Sequence, residues 1–305
     1  MQAIRARLWL PPRRLGVFVA VVVVLAAAFF VASSLSGPGS APSTLEQDIK
    51  KMEAAVQASP NELSLRLALA SAYRKADRSQ EALTQYQQAL AIDAKSEDAL
   101  LGAGVTHQEL GQVPEAIQAF TTIIAQNKDN SYAPLNQRLE AAHYYLGRIY
   151  REQGKLDESI NELRLALAIN RADADVLFEL GLAFQAKGEY EDAASAYEVA
   201  LAYVPDFPEA YQGLALAARS AGDEVKAGYA EAMILVFQDK VKDGVRRLEQ
   251  LAPESKDSRV WWGLGYANER LGRLDEAREA YQQAVELNPG ELLAADALSR
   301  LEGPQ

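Results

Sequence analysis

The chain contains no cysteine. That absence excludes disulfides, thiolate metal ligation, a cysteine nucleophile and lipid attachment through sulfur, and it leaves the compartment unmarked by redox chemistry. Histidine is almost as scarce, with only His107 and His143. No HExxH, GxxxxGK[ST] or GxSxG pattern occurs. The common signatures of zinc hydrolysis, phosphate binding and serine hydrolysis are therefore missing. Acidic residues are absent before Glu46, whereas Arg5, Arg7, Arg13 and Arg14 fall in that stretch. Glycine and proline are not in excess, so the chain is not of low complexity.

What is present is acidic. The formal net charge is −11 over 305 residues. From residue 36 onward there are 27 basic and 42 acidic residues, a net of −15. A body of that charge repels phosphate backbones, so nucleic acid is not expected as a partner. Adjacent acids such as Asp157-Glu158, Glu191-Asp192 and Asp275-Glu276 read as the openings of helices, where the helix dipole favours negative charge.

Residues 15 to 35, LGVFVAVVVVLAAAFFVASSL, carry no charge. Leu15 to Ala32 would span about 27 Å as a helix, close to the thickness of a bilayer's hydrocarbon layer. The expectation is a single transmembrane helix. Cleavage after the small residues at 32–34 is the less favoured alternative, because the apolar stretch is longer than an ordinary signal peptide's. The arginines of 1–14 place the N-terminus in the cytoplasm and the body outside. Residues 36–44 (SGPGSAPST) form a flexible linker.

The body, 45–302, repeats itself. LALASAYRKADRSQEALTQYQQALAIDA (67–94) aligns with YYLGRIYREQGKLDESINELRLALAINR (144–171), FELGLAFQAKGEYEDAASAYEVALAYVP (178–205) and WGLGYANERLGRLDEAREAYQQAVELNP (262–289). The blocks starting at 144 and 178 lie about 34 residues apart, a period typical of stacked repeat architectures. Leu69, Ala70 and Tyr73 share one face of a first helix; Ala82, Tyr86 and Ala89 share one face of a second. Gly188 and Gly272 stand where a first helix ends, and Pro205 and Pro289 follow a second. This pattern resembles the tetratricopeptide repeat. The resemblance implies an all-α fold, a right-handed superhelical solenoid of helix-turn-helix units. The units fall at 63–96, 97–130, 140–173, 174–207 and 258–291. Residues 131–139 are an insertion, 208–257 are one and a half degenerate units, 43–58 form a preceding helix, and 291–301 form a capping helix.

The resemblance also implies a concave groove lined by first helices. Its residues are Leu67, Ser71 and Arg74 in the first unit, Leu101 and Val105 in the second, and Tyr144, Tyr145, Arg148 and Arg151 in the third. The fourth gives Phe178 and Leu182, and the last Arg259, Trp262, Tyr266 and Arg270. The lysines and asparagines with which some members of the family clamp a carboxylate are missing, since Leu67, Ser71 and Gly102 stand in their places. The groove therefore suits an extended peptide or an amphipathic helix read by apolar anchors. In this register Trp261 is the buried member of the tryptophan pair and Trp262 faces the groove. His107 and His143 take packing positions.

The function implied is a non-catalytic, membrane-anchored scaffold that binds protein outside the cytoplasm, without cofactor or metal, in the assembly or biogenesis of an envelope complex. The alternative is an accessory domain of an envelope polysaccharide or secretion machine, with Trp262, Tyr144 or Tyr145 stacking on sugar rings.

Overall fold

The computed structural model describes residues 44–302, apart from Glu291. The expected transmembrane segment 15–35 and the linker as far as residue 43 lie outside these residues. No described helix is long and apolar enough to cross a membrane.

The described residues form 15 α-helices and two 3₁₀ turns, with no strand among them. A single helix α1 (Thr44–Ala58) precedes five helix pairs. These are α2 (Leu63–Lys75) with α3 (Ser79–Ile92), α4 (Glu97–Glu109) with α5 (Val113–Asn127), and α6 (Gln137–Glu152) with α7 (Leu156–Ile169). Then come α8 (Ala174–Lys187) with α9 (Tyr190–Tyr203) and α10 (Pro208–Ser220) with α11 (Glu224–Phe237). A single helix α12 (Val241–Leu251) follows, then the pair α13 (Ser258–Arg270) and α14 (Leu274–Leu287), and last α15 (Leu292–Glu302).

One sequence rule generates the array. Each first-to-second turn contains a residue in the left-handed region: Asp77, Gly111, Gly154, Gly188, Gly222, Asp239 and Gly272. Glycine takes that conformation without steric cost, and aspartate, like asparagine, tolerates it better than most other residues. Seven residues before it stands a buried glycine or alanine (Ala70, Gly104, Gly147, Gly181, Ala215, Ala232, Gly265), and five after it a buried alanine, serine or glycine (Ala82, Ala116, Ser159, Ala193, Ala227, Gly244, Ala277). Those small residues let paired helices approach. Nine after it a large side chain fills the gap: Tyr86, Phe120, Leu163, Tyr197, Leu248 and Tyr281 are all buried. Burying such a side chain contributes about 1.5–3 kcal/mol.

The turn spacings show where the array breaks phase. One full period separates Asp77 from Gly111, Gly154 from Gly188, and Gly188 from Gly222, and the step from Asp239 to Gly272 is one position short of it. The step from Gly111 to Gly154 is one period lengthened by the insertion 131–139, which includes the 3₁₀ turn Ala133–Leu135. A network in which Asn127 and Asn136 donate to the Glu97 carboxylate (2.6 and 2.9 Å) ties that insertion down. The step from Gly222 to Asp239 is half a period, because α11 plays two parts. It is the second helix of a pair begun by α10, and the first helix of a pair completed by α12.

Three observations agree on this. The turn α11–α12 carries the left-handed Asp239, as a first-to-second turn does. Asp223 caps α11 by accepting from the Lys226 amide, as Ser96, Asn136, Asp173 and Asp257 cap first helices, whereas the other second helices lack a side-chain cap. The contacts between successive first helices run α2, α4, α6, α8, α10, and then move to α11 and α13. At the usual place for a large apolar group in α11 stands Glu231 instead, paired with Arg219 and, at 3.2 Å, with Arg247.

Candidate functional site

Two surfaces follow from this arrangement. The first lies along α2, α4, α6 and α8. Leu67, Ser71, Arg74, Leu101, Val105, Tyr144, Tyr145, Arg148, Arg151, Phe178 and Leu182 all lie on these four helices, and every one is half-buried. The rings form local stacks: Tyr145 lies flat on Phe120 (5.2 Å between centroids) and edge-on to Tyr144 (5.2 Å), and Phe178 meets Phe207 (5.0 Å).

The arginines of this surface are already neutralised. Arg74 approaches Glu109 on the next first helix at 3.5 Å. Arg148 and Arg151 on α6 both reach Glu179 on α8, at 3.4 and 2.9 Å. The guanidinium of Arg148 also lies over the Tyr144 ring at 5.6 Å. These cations span from one unit to the next. The face they leave is apolar and aromatic, with little free charge.

The remaining four expected groove residues lie elsewhere. Arg259, Trp262, Tyr266 and Arg270 sit on α13, which follows the phase break and packs on α11. Arg259 and Trp262 line a cleft of about 860 Å³ together with the outward side of α9 (Glu198, Val199, Ala202, Tyr203) and with Tyr211, Tyr229, Leu292 and Leu293. The expectation of one continuous groove is corrected here. The row of first helices shifts over at α11, so the last unit presents its inner face beside the second helix α9 of an earlier one.

The tryptophan pair is also corrected. Trp262 is 5% exposed, stacked on Tyr266 at 5.4 Å, while Trp261 is half-buried. Trp261 depends on α12 for cover, and α12, at 11 residues, is shorter than the 14-residue second helices α3, α7, α9 and α14. A sugar-stacking platform at Trp262 is removed by the same burial.

Charges inside the cleft are paired. Arg259 donates to both Asp257 oxygens, from Nε at 2.8 Å and Nη2 at 2.6 Å, and pairs with Glu198. Burial disfavours its charged form, but the hydrogen bonds to Asp257 and the charge of Glu198 outweigh that, and its pKa rises. Lys226 also reaches Glu198, at 2.8 Å. Tyr211 and Tyr229 meet edge to face at the floor (6.0 Å between centroids), and burial pushes both phenols well above their ordinary range.

The histidines serve packing. His107 Nδ1 meets Gln112 Oε1 at 2.6 Å and buried His143 Nδ1 meets Glu162 Oε2 at 2.6 Å, each within its own helix pair.

Sequence models of known families match most of these helices. A TPR repeat model matches residues 147–188, and tetratricopeptide repeat models match 74–139, 178–235 and 229–291. The array is built of tetratricopeptide repeats. Two matches of one model, 178–235 and 229–291, overlap inside α11, the helix that belongs to two repeats.

A TPR repeat-containing protein of Methanocaldococcus jannaschii is 21% identical across 74% of this chain and 52% of its own length, so the chain spans about half of that relative. The crystal structure of the C-terminal part of a TPR repeat-containing protein from Cytophaga hutchinsonii superposes with a TM-score of 0.52 at 16% identity, over 84% of this chain and 95% of that one. The protein MamA gives 0.50 at 24% identity, over 59% and 94%. At these identities the structures share the fold alone.

The residues that sequence reasoning missed are Glu198, Val199, Tyr203, Tyr211 and Tyr229. The signal that points to them is the half-period spacing from Gly222 to Asp239.

Proposed function

We propose that this tetratricopeptide protein is a non-catalytic adaptor that holds an extended or amphipathic helical segment of a partner protein against the row α2, α4, α6 and α8. In this reading residues 15–35 tether it to a membrane, with the array on the extracytoplasmic side, where it serves the assembly of an envelope complex. One observation carries the partner chemistry: the row offers half-buried Leu67, Leu101, Val105, Tyr144, Tyr145, Phe178 and Leu182 while its arginines are consumed by Glu109 and Glu179. Such a face reads apolar side chains at intervals and does not select charge.

The test is crosslinking in intact membranes with the full chain and with Leu67→Glu plus Leu101→Glu. Both leucines are half-exposed, so the fold should survive, as circular dichroism would verify. Yield of a specific crosslinked partner should fall at least about tenfold, as expected when a charge is desolvated against an apolar segment. An unchanged yield from a folded variant would eliminate the groove. Protease added outside sealed cells should digest the array; full protection would place the body in the cytoplasm and refute the topology.

A further inference from the structure

The cleft at the phase break differs in chemistry from the groove. Its 860 Å³ falls within the roughly 300–1,000 Å³ of small-molecule sites and is far more than one side chain fills. Its deep part is formed by buried Leu201, Leu214 and Trp262 and by the two phenols Tyr211 and Tyr229. Its rim is also apolar: Val199 is 41% exposed, Tyr203 50% and Leu292 78%. Large apolar side chains at a concave rim are the feature that marks a ligand surface, in contrast to apolar groups scattered singly.

The charges define the ligand further. Within the cleft, Arg259 is held by Asp257 and Glu198, and Glu198 is shared with Lys226. An ion driven to the floor would meet no free counter-charge and would lose its water without replacement. Lys256, at the rim, is exposed and makes no ion pair or hydrogen bond among the described residues. Among the described residues, one unpaired cation thus stands at the edge of an apolar interior whose other charged side chains are all paired.

We propose that this cleft binds an apolar molecule bearing a single acidic group, its hydrocarbon or aromatic body lying along the exposed Val199, Tyr203 and Leu292, above the floor that contains Leu214 and Trp262, and its acid meeting Lys256. The site exists because α11 belongs to two repeats: the inner face of α13 and α15 thereby comes to lie opposite the outward face of α9. It is independent of the protein-binding groove, and the variants that test one do not touch the other.

Trp262 supplies a local reporter. In the full chain with Trp9→Phe and Trp261→Phe it is the one tryptophan left. Decanoate, titrated below its micellar range, should change Trp262 emission saturably. Decyltrimethylammonium, with the same tail and the opposite charge, should bind at least about tenfold more weakly. Ala202 lines the cleft and is exposed, so Ala202→Phe fills the space with little burden on the fold; it should weaken decanoate at least about tenfold. Lys256→Gln should weaken it about three- to fivefold, the reach of a surface ion pair. The proposal fails if decanoate produces no saturable change, or if Ala202→Phe binds as the parent does. Equal binding of the two tails, or an unaffected Lys256→Gln, overturns the acidic group.

Discussion

Tyr197 is held in a slot between two glycines, and that slot makes the packing rule measurable. Its ring is fully buried. A Cβ built on Gly181 of α8 would fall 2.5 Å from ring carbon Cε1, and one built on Gly213 of α10 would fall 2.5 Å from Cζ. Ordinary contact begins near 3.4 Å, so Gly181→Ala demands a shift of about 1 Å. The ring has nowhere to go, because α10 already closes the other side. Overpacking of this kind costs about 1–3 kcal/mol. Against it stands a gain of about 1 kcal/mol from replacing a mid-helix glycine by alanine. The net expectation is a loss of about 1 kcal/mol.

In a Tyr197→Ala background the slot is empty. The same Gly181→Ala change should then stabilise by about 1 kcal/mol, because only the propensity gain remains. The sign therefore reverses, and the coupling between the two positions is about 2 kcal/mol. Urea unfolding of the four species gives the cycle, with hydrogen exchange of α8 to α10 locating the effect. An equal change in both backgrounds would refute the slot and, with it, the claim that Gly104, Gly147, Gly181 and Gly265 seat the large side chain of the next helix.

Other consequences can be checked more simply. Trp262→Ala should cost about 3–5 kcal/mol, as deletion of a buried tryptophan does, and Trp261→Ala clearly less; equal losses in thermal unfolding would contradict their burial. Buried Glu140 has its pKa raised, by burial first and then by the hydrogen bond and charge of Asp173. The folded state therefore holds that proton longer than the unfolded chain, and stability present below pH 4.5 is lost as pH rises past that value. Glu140→Gln should flatten that decline and raise the melting temperature at neutral pH; an unchanged pH profile would count against the pair. At the alkaline end, burial first, and then the hydrogen bond to Glu53, pushes Tyr73 up to about 12. Tyr197, Tyr211, Tyr229 and Tyr281 rise further through burial. Stability held below pH 10 should thus fall as pH rises toward 12, and phenolate absorbance should show a late phase that coincides with unfolding; a single phase near the ordinary value would refute the burial.

The helix pairs were legible because their signals are local. Gly188 and Gly272 at turns, Ala82 and Ala89 on one face, and Pro205 after a helix are each readable within a few residues. The half unit within 208–257 was readable too, but the double role of α11 was not, because aspartate stands at Asp239 where glycine marks most other turns, and because Glu231 replaces the large apolar residue that would have fixed the register. The partners of the groove arginines were hidden for a different reason. Arg148 and Arg151 meet Glu179 about one period later, and nothing in the sequence says which rotamers will join. The tryptophan pair was misassigned because its burial depends on α12 and α11, the helices whose register the sequence obscures.

The double role of α11 has an arithmetic consequence for the gene. Removing positions 223–239 would join Gly222 directly to Lys240 and restore a step of nearly one full period between the turns at Gly222 and Gly272, an unbroken series. Such a deletion keeps every remaining turn, cap and small residue. It would merge the two faces into one row and erase the cleft. A connection between units accepts a short insertion such as 131–139, but at this break the unit of change is one helix, and a single helix gained or lost there decides which side of the molecule the far end addresses.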